Sequence, residues 1–362
     1  MTRVGVIGGG QLGQMLGIAG TRLGLEFVFL DPADAPPAAS AGPVLGFPFD
    51  SDEGLTRLAE ATDIITYEFE NVPVSAIRKL ASRTTVYPPA AALEHAQDRL
   101  AEKTLFRSLG IPVPDFRTVD SPGDLEKACN ALGLPVVLKT RRLGYDGKGQ
   151  YVVRNEAEID AAVAQLGGTG LIAERWVPFS SEVSAIGARN VSGEIVAYPL
   201  TRNEHVDGIL SVSRAPADMG ELEQVANDYL HRLLERLAYV GVLALELFVW
   251  NDQLLANEFA PRVHNSGHWT IEGAETSQFE NHLRAILDMP PGPTGMRGAA
   301  GMLNLIGTMP ADREAFQSAH CYLHDYGKAP RPGRKLGHVT VVTTTSAERD
   351  AILQDLSKHL NR

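Results

Sequence analysis

The sequence is poor in cysteine, in long apolar runs and in positive charge, and each shortage excludes a class of protein. Its two cysteines, Cys129 and Cys321, lie far apart and in no metal-like spacing, so we expect a reduced chain without a structural disulfide. No stretch approaches the roughly 18 consecutive apolar residues that a membrane helix needs. Basic residues number 33 against 44 acidic ones, and this net charge of −11 argues against a general binder of nucleic acid or membrane surface.

What remains has the composition of an ordinary globular protein. The 362 residues predict two or three domains, and the hydrophobic share of 44% and charged share of 21% are close to the averages of soluble domains. An apolar stretch starts at Val4, so we expect no signal peptide. We therefore predict a cytoplasmic location.

Strand and helix patterns alternate over residues 1 to about 95. Apolar runs at residues 4–7, 27–31 and 63–66 predict strands, and residues 12–23 predict a helix between the first two. This alternation is typical of a parallel sheet with crossover helices.

The rest of the chain follows a different pattern. Residues 95–109 read as one helix closed by Gly110, and prolines and a glycine at residues 290–293 mark a boundary. The strands predicted in this part lie at residues 135–139, 171–174, 242–250, 254–259 and 339–344. A terminal helix follows the last of them.

A glycine motif links the first strand to the first helix. Gly8, Gly10 and Gly13 match the dinucleotide-binding pattern, and Asp31 ends the next strand where a ribose-binding acid should stand. Any tight turn that brings a helix N-terminus to a phosphate also benefits from glycine. The motif therefore leaves three interpretations open: a dinucleotide, another phosphate ligand, or a structural turn.

Lys139 and the loop after it form the first phosphate-binding pattern. Lys139 ends an apolar strand, where a buried lysine is costly unless it meets an anion. The segment Gly144-Tyr145-Asp146-Gly147-Lys148-Gly149-Gln150 follows, and its backbone N–H groups can cover phosphates. A solvent-reaching lysine and an ordinary surface turn are the alternatives, and their combination at this spacing favours a nucleotide site.

A strand-end segment, Glu174-Arg175-Trp176-Val177, adds a second nucleotide pattern. Backbone groups after such a strand can hydrogen-bond an adenine edge, and Glu182 could hold ribose hydroxyls. Without these neighbours the segment would read as an edge strand anchored by a tryptophan.

The hairpin around Asn251-Asp252-Gln253 gives the strongest chemical prediction. If these three residues form the loop, Trp250 pairs with Leu254, and Glu246 lies directly opposite Glu258. Facing carboxylates repel each other, and the arrangement is explained by a hard cation such as Mg²⁺ bridging to ATP phosphates. A two-residue loop would make the two carboxylates diagonal, still within reach of one metal.

Arg262 and two histidines come shortly after Glu258. An arginine beside a metal–phosphate site can stabilise charge on a transferred phosphoryl group or an acyl phosphate. The segment His264-Asn265-Ser266-Gly267-His268 could supply bases or substrate contacts, or only hydrogen bonds within the protein.

With these motifs in place, nearly the whole chain resembles the ATP-grasp superfamily and, within it, the N5-carboxyaminoimidazole ribonucleotide synthase family. The matching segments are Gly8-Gly9-Gly10-Gln11-Leu12-Gly13, Tyr67-Glu68-Phe69-Glu70-Asn71-Val72, Gln97-Asp98-Arg99, Tyr145-Asp146-Gly147-Lys148-Gly149-Gln150, Asn257-Glu258-Phe259-Ala260-Pro261-Arg262, His264-Asn265-Ser266-Gly267-His268 and Arg331-Pro332-Gly333-Arg334-Lys335-Leu336-Gly337-His338. Val263 departs from the resemblance, which would place a proline there.

The resemblance implies an α/β fold with an N-terminal Rossmann-like substrate domain at residues 1–95, an ATP-grasp domain at 96–295 with a lid at about 113–178, and a C-terminal domain at 296–362. It implies that ATP, bicarbonate and 5-aminoimidazole ribonucleotide give N5-carboxyaminoimidazole ribonucleotide, ADP and phosphate through carboxyphosphate, in purine (IMP) biosynthesis. It further implies a Mg²⁺ or Mn²⁺ cofactor, a homodimer and a downstream mutase that takes the product.

The resemblance also assigns roles residue by residue. Catalysis falls to Arg262, Lys139 and Lys148, and the metal to Glu246 and Glu258. The implied ATP contacts are Arg99, Lys139, Gly144, Tyr145, Asp146, Gly147, Lys148, Gly149, Gln150, Glu174, Arg175, Trp176, Val177, Glu182, His205, Asn257 and Glu258. The implied ribonucleotide contacts are Gly10, Gln11, Leu12, Glu70, Asn71, His264, Asn265, Lys328, Arg334 and Lys335.

Two other hypotheses stay open at this point. One is a nicotinamide-dependent dehydrogenase, which rests on the first glycine motif and Asp31. The other is a catalytically idle nucleotide-binding protein, which is disfavoured because every expected catalytic carboxylate and cation is present. For the basic stretch at residues 331–335, a solvated surface run is the alternative to phosphate binding.

Overall fold

A computed structural model describes residues 1–144, 148–167 and 170–360. The predicted loop residues Tyr145, Asp146 and Gly147 lie outside the described part. Among the described helices, none is long and apolar enough to cross a membrane.

The N-terminal region forms a parallel sheet, as the alternating pattern predicted. Its five strands stand in the order β3-β2-β1-β4-β5, so β1 lies at the centre. The strands are β1 (Arg3–Ile7), β2 (Glu26–Leu30), β3 (Val44–Leu45), β4 (Ile64–Tyr67) and β5 (Thr85–Val86). The helices among and after them are α1 (Gln11–Thr21), α2 (Asp52–Ala61), α3 (Val74–Ala81), α4 (Ala90–Ala96) and α5 (Arg99–Ser108). Because parallel strands end at one edge, the turn after β1 and the segment after β4 come together there.

The prediction of one helix over residues 95–109 is wrong, because the chain breaks between α4 and α5. Asp98 caps α5, its carboxylate accepting hydrogen bonds from the N–H groups of Leu100 (3.0 Å) and Ala101 (3.4 Å). An N-cap aspartate has extended backbone geometry, so the preceding helix cannot run through it.

A four-stranded antiparallel sheet follows, in the order β6-β9-β7-β8. Its strands are β6 (Phe116–Val119), β7 (Val136–Thr140), β8 (Gln150–Val153) and β9 (Leu171–Arg175). Helices α6 (Pro122–Leu132) and α7 (Ile159–Leu166) share one apolar core with this sheet.

The largest sheet has nine described strands and spans the remaining chain. Eight stand in the order β15-β14-β10-β12-β13-β16-β18-β17, and β11 pairs with β10. They are β10 (Ser181–Arg189), β11 (Ile195–Ala197), β12 (Thr201–Val206), β13 (Ile209–Ala215), β14 (Gly241–Trp250), β15 (Gln253–Ala260), β16 (Ala299–Ile306), β17 (Cys321–Asp325) and β18 (Lys335–Thr343). The accompanying helices are α8 (Glu221–Arg236), α9 (Thr270–Gly273), α10 (Gln278–Ile286) and α11 (Ser346–Leu360). Because β13 pairs with β16, the sheet is continuous across the boundary predicted near residue 295, and the domain limits stay a proposal.

The β14–β15 hairpin differs from its prediction in loop length. Trp250 pairs with Gln253, so the turn has two residues, Asn251 and Asp252, with φ of 49° and 56°. Positive φ at both positions is the geometry of a tight hairpin turn, which asparagine and aspartate tolerate. The turn is therefore the two-residue alternative and not the three-residue loop.

Candidate active site

A cavity of about 450 Å³ is lined by the four-stranded sheet, the large sheet and the start of α5. Most of the residues that the sequence predicted to bind ATP or metal line this cavity. The predicted ATP and metal residues on its wall are Arg99, Lys139, Lys148, Gln150, Glu174, Arg175, Trp176, Val177, Glu182, His205, Glu246, Asn257 and Glu258. Three predicted substrate residues, His264, Asn265 and Lys335, line it as well.

Glu246 and Glu258 lie opposite each other across the hairpin, as predicted, but for a different reason. The register shifts between Glu246 and Leu247, because Asn257 is one extra residue in β15. This bulge cancels the shorter turn and restores the facing pair. Burial, and then the charge of Glu258, raises the pKa of Glu246 to about 7.

Arg99 neutralises Glu258. Its guanidinium donates to Glu258 Oε2 at 2.8 Å, and its backbone N–H donates to the carbonyl of Arg141. Burial alone would raise the pKa of Glu258, but the Arg99 charge and hydrogen bond lower it below its usual value. The two carboxylates of the pair therefore differ: one is stabilised in its charged form and the other in its neutral form.

Lys139 forms a salt bridge with Glu174, its Nζ lying 2.9 Å from Glu174 Oε2. Only 11% of the Lys139 side chain is exposed. The interpretation as a solvent-reaching lysine is thereby excluded. Lys103 lies 3.4 Å from the same carboxylate oxygen and is fully buried. Burial would raise the pKa of Glu174, but the two ammonium groups lower it to about 2. The Glu174 carboxylate therefore serves to hold two lysines.

Aromatic and aliphatic side chains form one wall of the cavity. Phe179 and Phe248 stack with ring centroids 4.7 Å apart and planes 5° apart, beside Val137, Val152 and Trp176. A flat apolar wall of this kind suits a heteroaromatic base. Sequence reasoning missed both phenylalanines, although Phe248 follows Glu246 at the two-residue spacing that puts strand side chains on one face.

Glu182 and His205 form a pair on the cavity wall. His205 Nδ1 and Glu182 Oε2 are 2.8 Å apart across β10 and β12. Burial disfavours the imidazolium, but the Glu182 hydrogen bond and the charge of Glu246 raise the pKa of His205 above its usual value. Both residues were predicted to contact ATP.

Glycines frame both ends of the predicted loop. Thr140 N–H donates to the carbonyl of Gly149 at 2.8 Å, which joins the end of β7 to the start of β8. Gly149 has φ of 74°, and a Cβ there would lie 2.6 Å from Thr140 Oγ1. At Gly144, a Cβ would lie 3.2 Å from an Arg99 nitrogen, so this backbone passes close to the cation.

A second group of predicted residues surrounds the turn after β1. Gly10 N–H donates to Glu68 Oε1 at 2.8 Å, and Gly9 N–H donates to Asp31 Oδ2 at 2.7 Å. The Lys328 ammonium donates to Gln11 Oε1, which brings the basic C-terminal segment onto the turn. Leu12 lies in the apolar core, so only its main chain could reach a ligand.

Glu68 and Asp31 decide how the glycine turn can be used. A Cβ at Gly8, where φ is 104°, would lie 2.6 Å from Glu68 Oε1, so the glycine makes room for this carboxylate. Two carboxylates thus occupy the amide donors that would otherwise hold a dinucleotide's phosphates, and Asp31 is not available to a ribose. The dehydrogenase interpretation is disfavoured. Sequence reasoning missed this role of Glu68.

Arg262 joins the end of β15 to the segment after β4. It follows β15, and its guanidinium donates to Glu70 Oε2 at 2.7 Å, although it does not itself line the cavity. Gln97, directly after α4, donates from Nε2 to the carbonyl of Glu70 at 2.8 Å and so holds that segment. Asn71, the neighbour of Glu70, is half-buried in the same segment.

Burial favours the neutral form of both histidines in the predicted substrate segment, because it lowers their pKa. Burial, followed by the charge of Arg262, lowers the pKa of His264 well below its usual value. His264 Nε2 lies 3.3 Å from Glu246 Oε1, and its Nδ1 lies 2.8 Å from Ser266 Oγ. Asn265 Nδ2 donates to Asn304 Oδ1 at 3.1 Å. These contacts favour hydrogen bonding rather than a cationic role for the segment.

Three cations come from the C-terminal segment. Lys335 begins β18 and lines the cavity, whereas Lys328 lies at the turn. Arg334 is half-buried, and its guanidinium donates to the carbonyl of Ala329 at 3.2 Å. Burial, and then the charges of Arg334 and Lys335, lowers the pKa of Lys328 to about 8.

In the described part of the chain, no three histidine, cysteine or carboxylate side chains gather as a metal-binding group.

Comparison with known proteins identifies the family. Three family models match successive parts of the chain: a ribonucleotide synthetase preATP-grasp domain at residues 1–97, an ATP-grasp domain at 104–279, and a phosphoribosylaminoimidazole carboxylase C-terminal domain at 300–351. The chain is 52% identical to N5-carboxyaminoimidazole ribonucleotide synthase of Pseudomonas aeruginosa over 94% of each chain. It belongs to the N5-carboxyaminoimidazole ribonucleotide synthase family.

Solved structures agree with this family over the whole chain. The synthetase of Thermus thermophilus is 51% identical, with a TM-score of 0.95 over 99% of both chains. The synthase of Aspergillus clavatus in complex with ADP and 5-aminoimidazole ribonucleotide is 33% identical, with a TM-score of 0.93 over 100% of this chain and 99% of that one. The predicted ATP-grasp fold and family membership are thereby confirmed.

Proposed function

We propose that the chain is an ATP-grasp ligase that carboxylates the exocyclic amine of 5-aminoimidazole ribonucleotide. ATP and bicarbonate are the co-substrates, and N5-carboxyaminoimidazole ribonucleotide, ADP and phosphate are the products, in de novo purine biosynthesis. The proposal rests on one observation: a single cavity is lined by the facing carboxylates of Glu246 and Glu258 and by two cationic side chains, Arg99 and Lys139. Family membership supports the identity of the substrates.

ATP is proposed to occupy the 450 Å³ cavity. The base fits the wall of Phe179 and Phe248, and the Glu182–His205 pair offers partners for ribose hydroxyls. Lys139 is held beside the cavity by Glu174, so its ammonium is positioned for phosphate oxygens before the nucleotide binds.

A Mg²⁺ or Mn²⁺ ion is proposed at Glu246 and Glu258, and the residues present fit such an ion. The side-chain oxygen of Asn257 is buried and has no hydrogen-bond partner among the described residues, directly beside Glu258. Together with the carboxylates of Glu246 and Glu258, this oxygen would give a hard cation the type of ligand that it prefers. When bound, the ion would neutralise charge on the transferred phosphoryl group.

The proposed chemistry proceeds in two steps. A bicarbonate oxygen attacks the γ-phosphorus and ADP leaves, which gives carboxyphosphate; the substrate amine then takes the carboxyl group, with release of phosphate and the amine proton. Arg262, held at 2.7 Å by Glu70, is proposed to face the carboxyphosphate. Lys148 is proposed to cover the phosphates from the loop, and residues 113–178 to act as a lid that excludes water.

The ribonucleotide is proposed to lie at the turn after β1, on the far side of Arg262 from the nucleotide. Gln11, at the start of α1, accepts a hydrogen bond from Lys328 there, and Arg334 lies in the same basic segment. Arginine forks and lysine ammonium groups suit a phosphate dianion. Glu70, Asn71, His264, Asn265 and Lys335 are proposed to contact the ribose and imidazole. A homodimer, a cytoplasmic location and transfer to a downstream mutase are proposed from the family resemblance and the composition.

One experiment tests the function directly. ADP formation is measured with ATP and Mg²⁺, then with bicarbonate and aminoimidazole ribonucleotide added singly and together. Rapid turnover is expected only with both, together with a carboxylated ribonucleotide. Absence of turnover under all conditions would support an idle nucleotide-binding protein, and NADH binding detected by fluorescence would revive the dehydrogenase.

A further inference from the structure

Glu102 and Lys103 of α5 are buried ionisable residues that the proposed chemistry does not use. Their exposed fractions are 2% and 0%, and neither lines the cavity. A buried charge is costly unless charge partners and hydrogen bonds compensate its desolvation. Their partners therefore indicate what the two residues do.

Both residues bind the main chain of β15 at the end of the large sheet. Among the described strands, β15 pairs with β14 and stands last in the order, so its other edge needs partners for its N–H and C=O groups. Lys103 Nζ donates to the carbonyls of Asn257 (2.7 Å) and Ala256 (3.4 Å). Glu102 Oε1 accepts from the Phe259 N–H at 2.7 Å.

These contacts fall on the bulge that presents Asn257 and Glu258 to the cavity. A bulged residue is left out of the regular ladder, so its orientation depends on contacts from outside the sheet. We propose that Glu102 and Lys103 are positioning residues that hold this bulge in the shape that turns Asn257 and Glu258 toward the cavity.

Lys103 also joins the two walls of the cavity. Its ammonium lies 3.4 Å from Glu174 Oε2 on β9, and the same oxygen accepts from Lys139 of β7 at 2.9 Å. One buried cation thus ties the four-stranded sheet to the bulge of the large sheet. The inference deepens the proposed function, since it assigns supporting residues to the same ATP site.

The first test is Lys103→Met, which keeps an unbranched side chain, one atom shorter, and removes the charge. In the ligand-free variant, hydrogen exchange of the amides at residues 256–259 is expected to be faster by about tenfold or more, as local protection is lost. KM for ATP is expected to rise about tenfold, the effect of a lost charged hydrogen bond, with KM for the ribonucleotide within about twofold. Lys127→Met is the control, because Lys127 is a surface lysine with 81% of its side chain exposed.

Glu102 provides a matched pair of variants that also serves if Lys103→Met does not fold. Glu102→Gln keeps an oxygen for the Phe259 N–H, whereas Glu102→Met removes it. Burial, and then the Glu258 charge, raises the pKa of Glu102 well above its usual value, so a neutral glutamine is a close substitute. Glu102→Met is expected to raise KM for ATP and to speed exchange at the bulge, and Glu102→Gln to stay within about twofold of wild type.

The inference is overturned if the variants lower overall stability while exchange at residues 256–259 and KM for ATP stay unchanged, or if both KM values rise together. Hydrogen exchange in the ligand-free enzyme does not depend on which acceptor is carboxylated. Failure of this inference is therefore distinguishable from failure of the proposed function.

Discussion

Glu246 and Glu258 face each other on neighbouring strands, and the bulge at Asn257 is what brings them into register. Like charges placed opposite each other in a ladder are destabilising. Here Arg99 neutralises one of them at 2.8 Å, and the pKa of the other rises to about 7 through burial and the charge of Glu258. The pair is therefore suited to bind a metal cation from solution.

Replacing Glu258 by glutamine tests this pair. The substitution keeps the shape and removes one charge from the proposed cation site, so kcat is expected to fall at least about a hundredfold, in line with loss of a principal electrostatic contributor. Steady-state kinetics at several Mg²⁺ concentrations measures it. Glu280→Gln, in a half-buried helical ion pair with Arg284 away from the cavity, is the control. Turnover within a few-fold of wild type would remove Glu258 from the metal site.

The sequence predicted the facing pair of Glu246 and Glu258 correctly because two departures from the predicted hairpin cancel each other. Alternation of apolar residues located both strands, and a hairpin of either length brings the carboxylates near each other. The loop had one residue fewer than predicted, and the bulge added one residue back. The main chain around the bulge is bound by Glu102 and Lys103 of α5, which are distant in sequence, so local pattern could not reveal it.

Other features lay outside the reach of local pattern for similar reasons. The break before Arg99 follows from Asp98 capping α5, which competes with the strong helical periodicity on both sides. The partner of Lys139 is Glu174, a strand away, and pairing across strands is fixed only by the assembled sheet. The positions of the motifs could be predicted because strand ends and glycine loops are visible in short stretches of sequence. The ion pairs that hold these motifs in place join residues far apart in the sequence and could not be predicted.

Loop closure predicts protection of Lys148. This residue is exposed and precedes Gly149, so trypsin is expected to cut after it in the free enzyme and to cut more slowly with Mg-ATP present. Peptide mass mapping over time measures the rate. Cleavage after the exposed Arg22, which lies outside the proposed lid, is the internal control. Equal rates after Lys148 with and without nucleotide would count against closure over ATP.

The lowered pKa of Lys328 predicts an alkaline limit for the ribonucleotide. The ammonium, favourable for a phosphate dianion, is present below a pH of about 8 and is lost as the pH rises through that value. Because kcat/KM reports the free enzyme, kcat/KM for the ribonucleotide is expected to fall above pH 8, whereas the ATP value should not follow it. Lys328→Arg should move the limit to higher pH. A limit unchanged in that variant would assign it to another group.

Arg334→Ala separates the two proposed sites. A phosphate dianion held by an arginine fork and a lysine should lose about 2–3 kcal/mol without the guanidinium, so KM for aminoimidazole ribonucleotide is expected to rise by tens of fold. KM for ATP should stay nearly unchanged, because the nucleotide cavity is lined by other residues. Arg313→Ala is the control, since Arg313 is an exposed arginine that pairs with Asp325 at 2.9 Å. A rise confined to KM for ATP would mean that the two sites are exchanged. Unchanged KM values would mean that this basic segment is a solvated surface, and the turn after β1 would then need another source of positive charge to hold the ribonucleotide.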